Sequence, residues 1–140
     1  MLLPTTGNPD FAGGGQTTTT AQLVAALLAV DASYGQVQHI AAAGAITVTS
    51  GTVFLNTGTA GAISLAAPVA GLPSAGGNDG QSLTIIAIDA EAYVVTAPAN
   101  AINGSKHIAT FGGAVGDSID LVAYGGVWYQ DGTPLGVALT

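Results

Sequence analysis

From Gln36 to the C-terminus the hydrophobic pattern has a period of two: β-branched and aromatic residues alternate with small or polar ones, and Gly, Asn and Asp interrupt them at short intervals. Alternation sends successive side chains to opposite faces, so each run buries an apolar face only by pairing as a strand. The pattern predicts strands at 37–42, 45–49, 52–56, 62–66, 82–89, 92–97, 107–111, 118–124, 127–130 and 136–139. Ser50-Gly51, Asn78-Asp79-Gly80, Asn103-Gly104 and Gly125-Gly126 are turn signals, and Gly125-Gly126 between aromatic-bearing strands suits a two-residue hairpin. Residues 67–81, with Pro68, Pro73 and Gly76-Gly77, break the pattern and read as a long surface loop within one domain. Many short strands at this spacing predict a mainly β fold, a compact antiparallel β-sandwich or barrel. The chain shows no repeat of fixed period, which argues against a propeller or a β-helix.

Upstream of Gln36 the pattern changes twice. Residues 1–18 carry two prolines, Gly13-Gly14-Gly15 and a threonine run without periodic apolar positions, and read as an extended N-terminal arm. Residues 19–35 have helical spacing: Leu23, Leu27 and Val30 share one face, Thr19 with Gln22 matches a capping box, and Gly35 is a C-terminal stop. The organisation expected is therefore an arm at 1–18, one short helix at 19–35 and a β domain at 36–140.

Charge narrows the function. The 140 residues include one Lys or Arg, Lys106, against eight Asp and Glu, for a net charge of -7. Ligands rich in phosphate need clustered Lys or Arg to neutralise them, so nucleic acid is not an expected partner. The carboxylates are scattered singly, forming neither an acidic tail nor an obvious metal cluster, and their plainest role is solubility. The absence of cysteine excludes disulfides and thiolate chemistry. A mean hydropathy of +0.54 is high, yet no window offers the ~18 uninterrupted apolar residues of a spanning helix. Met1-Leu2-Leu3-Pro4 also lacks the basic start of a secretory signal. With charged residues at 6% and no membrane partner expected, the apolar excess points to burial between subunits.

The chemically capable residues have plainer readings. His39 and His107 are isolated in sequence and fit surface or interface histidines. Asp89 and Glu91 are two apart, as a carboxylate pair on a strand would be, but a strand-to-strand turn suits them better. Asp117-Ser118 with Asp120 lacks the G-x-S-x-G elbow of a nucleophilic serine. Phe111 to Gly116 is glycine-rich but lacks the Gly-Lys-Ser/Thr of a phosphate loop, and a tight turn explains its glycines. Asn103-Gly104-Ser105 matches a glycosylation acceptor formally and an Asn-Gly turn physically. Tyr124, Trp128 and Tyr129 gather in one hairpin, where they either pack inward or form a platform for a partner; alternation requires that one face of the hairpin look inward. No enzyme activity, cofactor or metal is expected.

One arrangement of motifs is familiar. It runs from Asp79-Gly80-Gln81-Ser82-Leu83-Thr84-Ile85 through Val95-Thr96-Ala97-Pro98, Asn103-Gly104 and Ala109-Thr110-Phe111-Gly112-Gly113-Ala114-Val115-Gly116-Asp117 to Val122-Ala123-Tyr124 and Trp128-Tyr129. The C-terminal two-thirds of the chain thereby resembles the β-rich small structural proteins of tailed bacteriophages, including capsid decoration and head-fibre proteins. The resemblance implies a compact β domain, assembly as a homotrimer and a place on the virion surface. The chain departs from the family at Tyr93, near where the resemblance leads one to expect a histidine.

Three functions follow as expectations. The first is a capsid decoration, or cement, protein on the outer capsid surface, with the major capsid protein and its own copies as partners. Its arm residues Leu2, Leu3, Pro4 and Phe11 would contact the capsid, and Leu23, Leu27 and Val30 would form a subunit interface. The second is a tail-fibre or receptor-binding module in which Trp128, Tyr129 and residues 100–105 meet a host-surface glycan. The third, an enzyme using Asp117 with Asp120 or Asp89 with Glu91, has only the presence of acids behind it.

Overall fold

The computed structural model describes residues 19–33 and 35–140, with side chains described for 19–26 and 35–140. The predicted arm, and with it Leu2, Leu3, Pro4 and Phe11, lies outside the described residues. The chain divides after Asp31, and the two parts are taken separately. In the first, helix α1 spans Thr20–Ser33. Its start is the capping box read from the sequence: the Thr19 N–H donates to Gln22 Oε1 at 2.9 Å and the Gln22 N–H donates to Thr19 Oγ1 at 3.1 Å. Leu23 and Val24 are about half exposed, at 52% and 48%, and the side chains of Leu27 and Val30 lie outside those described.

The second part is a β domain of ten strands: β1 (Gln36–Ile40), β2 (Gly44–Ile46), β3 (Gly51–Leu55), β4 (Ala62–Leu65), β5 (Ser82–Ala87), β6 (Val94–Thr96), β7 (Ile108–Phe111), β8 (Ser118–Tyr124), β9 (Val127–Gln130) and β10 (Val137–Leu139). All ten predicted strands form, with β8 and β9 at their predicted bounds. They make two five-stranded sheets, β1-β3-β5-β8-β9 and β10-β7-β6-β4-β2. Both sheets contribute to one core cluster, the arrangement of a β-sandwich. Neither sheet closes, which excludes the barrel alternative.

The predicted antiparallel pairing needs correction. β1, β3 and β5 are mutually parallel, as are β2, β4 and β6, and only the pairs β5–β8, β8–β9, β6–β7 and β7–β10 are antiparallel. The first six strands alternate between the sheets, so the chain winds as a two-sided coil before antiparallel strands complete both sheets. This winding, which the missing sequence repeat argued against, needs strands in register but not turns of equal length. Gln36 pairs with Gly51 and Gly51 with Leu83, and the second interval contains the 67–81 loop, so no fixed period survives in the sequence.

Packing follows the alternation. Val53, Leu55, Leu83, Ile85, Ile119, Leu121 and Trp128 from one sheet meet Ile63, Leu65, Val95 and Phe111 from the other, all at most 3% exposed. Each such aliphatic side chain contributes about 1.5–3 kcal/mol by leaving water. Tyr93 and Phe111 meet edge to face, with ring centroids 6.5 Å apart and planes at 82°. Gln38 sits half-buried in register with the inward Val53 at the open first turn of the coil. Its amide bridges β1 to β2, donating to the Ala45 carbonyl at 3.0 Å and accepting from the Thr47 N–H at 2.8 Å.

Candidate binding surface

Residues not used for the core form two outer faces, and the face of the first sheet carries the bulkier side chains. Register places His39, Phe54, Ile86 and Ser118 in one outward cross-strand row, Val37, Thr52, Thr84 and Asp120 in the next, and Ser82, Val122 and Tyr129 in a third. Phe54, Ile86 and Val122 are half-buried, while Val37 is 73% and Tyr129 40% exposed. Ile88, just beyond β5, adds another exposed apolar group at the Phe54 end.

At the opposite end of this face lies a cleft of about 500 Å³, lined by residues including Thr52, Pro73, Asp79, Gln81, Ser82 and Thr84. The 67–81 loop forms one wall of it. Asn78 organises that loop: its N–H donates to the Val69 carbonyl, its Oδ1 accepts from the Val69 N–H, both at 2.7 Å, and its Nδ2 donates to Gln81 Oε1 at 2.9 Å. The Asp79 carboxylate accepts from the Gly125 N–H at 2.8 Å and so ties the loop to the β8–β9 hairpin. Gly125 and Gly126 both have positive φ, 59° and 85°, as a type I′ turn requires. The other wall depends on Gly51, where a Cβ would stand 2.0 Å from the Gln36 carbonyl oxygen; β1 and β3 approach this closely only without a side chain there.

The aromatic hairpin resolves into two roles. Tyr124, 67% exposed, and Tyr129 face outward and are available to a partner. Trp128 is 1% exposed and is not, which removes it from the glycan contact expected of it. Its Nε1–H donates to the Ala66 carbonyl at 2.9 Å, and its backbone bonds Ala101 and Asn103. Residues 100–105 also have a packing role: Ile102 is fully buried and bridges Trp128 in parallel, and the Asn103 carbonyl oxygen Oδ1 accepts from the Gln130 N–H at 2.9 Å. This loop covers the β9 edge, which would otherwise offer unpaired backbone groups. Asn103 and Gly104 form the turn the sequence signalled, with φ of 49° and 70°.

The carboxylates hold backbone. Asp89 lies in a bend between β5 and β6, accepting from the Gly58 N–H at 3.0 Å and from the Tyr93 hydroxyl at 2.5 Å. Asp117 is buried, and its Oδ2 accepts from the N–H groups of Gly113 and Ala114. Asp120 accepts from the Thr84 hydroxyl on the outer face. His39 and His107 are both exposed, and no cluster of three metal-ligating side chains occurs among the described residues. Tyr93 escaped the sequence reading as a core residue. It is fully buried, donates to Asp89 and accepts from the Thr57 N–H at 2.9 Å. Burial, then the bond to Asp89, raises its phenol above the ordinary value of 10.0. A tyrosine beside the bend signal at Asp89 was the only sequence cue to this tie.

Comparison with known proteins adds no relative: no family model, curated protein or solved structure matches the chain.

Proposed function

We propose that this chain is a structural protein of a tailed-bacteriophage virion, a capsid decoration protein that binds the outer surface of the major capsid lattice and stabilises the head. The observation that carries the reading is uncovered apolar surface. Every described side chain of α1 is exposed although ten of the helix's fourteen residues are apolar, and the first sheet turns Val37, Phe54 and Ile86 outward, with Ile88 exposed just beyond β5. The outward residues of the first sheet lie outside the core cluster, and exposed apolar surface of this kind is stabilised by contact with other subunits. In this reading the apolar end of the outer face and α1, with Leu23, Leu27 and Val30, join three copies, while Leu2, Leu3, Pro4 and Phe11 reach the capsid. The resemblance of the C-terminal two-thirds to phage decoration and head-fibre proteins supports the same conclusion. The mechanism is binding alone: added interface area opposes the outward pressure of packaged DNA.

Purified protein added to capsids that lack it is expected to saturate them in a fixed ratio to capsid subunits, and removal of residues 1–18 to abolish attachment. Failure of the whole chain to attach removes the reading; attachment of the truncated chain removes only the arm. The exposed Tyr124 and Tyr129, on the same sheet as the polar cleft, favour a second reading, a tail-fibre or receptor-binding module for a host-surface glycan. Immunogold labelling at head or tail separates the two.

A further inference from the structure

We propose that the cleft on the first sheet and the Tyr129 ring together form a binding site for a neutral oligosaccharide. The inference gives the second reading above its site, yet a head location leaves it standing, because it rests on this face alone.

The lining chemistry selects the ligand class. Thr52, Ser82 and Thr84 present hydroxyls, each able to donate and accept, and Gln81 adds an amide. Among the described lining residues there is no Lys, Arg or His, so a phosphate, sulfate or carboxylate ligand finds no counter-charge. Asp79 is the only carboxylate among the described lining residues and already accepts from Gly125, which leaves too few oxygen ligands for a bound cation. Thr84 donates to Asp120 and so offers its oxygen as an acceptor, whereas the Thr52 and Ser82 hydroxyls make no side-chain hydrogen bond to a described residue. Such a set pairs with the mixed donors and acceptors of sugar hydroxyls.

Tyr129 supplies the second, independent feature. It shares a cross-strand row with Ser82 and Val122, so its Cα lies about 10 Å from that of Ser82 across two strand spacings. That span suits two linked sugar rings: one hydrogen-bonded in the cleft, the other laid with its C–H face on the exposed Tyr129 ring. The Asp79–Gly125 bond joins the cleft wall to the hairpin that bears Tyr129, holding both parts of the site in one arrangement before a ligand arrives.

Amide chemical shifts of the full chain, titrated with cellobiose, lactose, maltose and chitobiose and with glucose 6-phosphate as a charged probe, test this. At least one neutral disaccharide is expected to move the amides of Thr52, Gln81, Ser82 and Tyr129, with a dissociation constant of about 1 mM. Tyr129→Ala is expected to weaken that binding about tenfold while leaving the remaining spectrum in place, and Tyr129→Phe, which keeps the ring face, to retain it. The proposal is overturned by silence towards all four disaccharides, by a response to glucose 6-phosphate alone, by shifts confined to Asn100 and Asn103, or by unchanged affinity in Tyr129→Ala.

Discussion

The two outer faces of the sandwich stand on the same alternation of strand residues, yet they carry different chemistry. On the second sheet the outward rows run Ala45, Ser64, Thr96, Ile108 and Ala62, Val94, Thr110, Ala138, mostly small or hydroxylated residues. On the first they include Phe54, Ile86, Val122 and Tyr129, with threonines and a carboxylate between. The core needs only the inward residue of each pair, so folding is satisfied by either choice outside. Thr and Ser at outward positions suffice for strand formation and solubility; large apolar groups there bury area only against something else.

The sharpest way to break the comparison is a charge on each face in turn. If three copies associate as proposed, Ile86→Asp is expected to weaken that self-association at least about 100-fold, whereas Thr96→Asp on the second sheet leaves it intact. Analytical ultracentrifugation reads both; equal effects would mean that the two faces do not differ in function. A contrast of nearly the same size separates inside from outside on β9. Trp128→Ala is expected to cost about 3–5 kcal/mol in urea unfolding, since it removes core volume and the bond to Ala66, while the neighbouring Tyr129→Ala stays within about 1 kcal/mol.

A smaller effect distinguishes Tyr93 from the outward tyrosines. Its folded phenol value lies above 10.0, so the protonated form is favoured by folding: the contribution is complete below pH 10.0 and is lost as pH rises through the higher folded value. Tyr93→Phe is expected to cost about 1–3 kcal/mol at neutral pH and to flatten the alkaline limb of a stability profile measured by chemical denaturation. An alkaline limb unchanged by this substitution would place its cause elsewhere.

Much of this was legible from residues alone wherever the cause is local. Alternation marked the strands, Gly125-Gly126 marked the hairpin, and Thr19 with Gln22 marked the start of α1, because each acts through neighbours in the chain. The sequence marks Tyr129 as a candidate, whereas nothing in it marks the cleft. Its walls come from β3, β5 and the 67–81 loop, and the loop's order depends on Asn78 binding Val69 through both backbone and side chain.

What the amino-acid order determined by itself is therefore the inventory of elements and the opposition of neighbouring side chains, such as Trp128 against Tyr129. Tertiary structure alone decided which of that pair faces the core, because the space for an indole and the Ala66 carbonyl that accepts its N–H are brought from a distant part of the chain. It also decided the parallel winding of β1 to β6. A period of two is the same for parallel and antiparallel neighbours, and strand direction is set by crossovers whose unequal lengths leave no mark of register in the sequence.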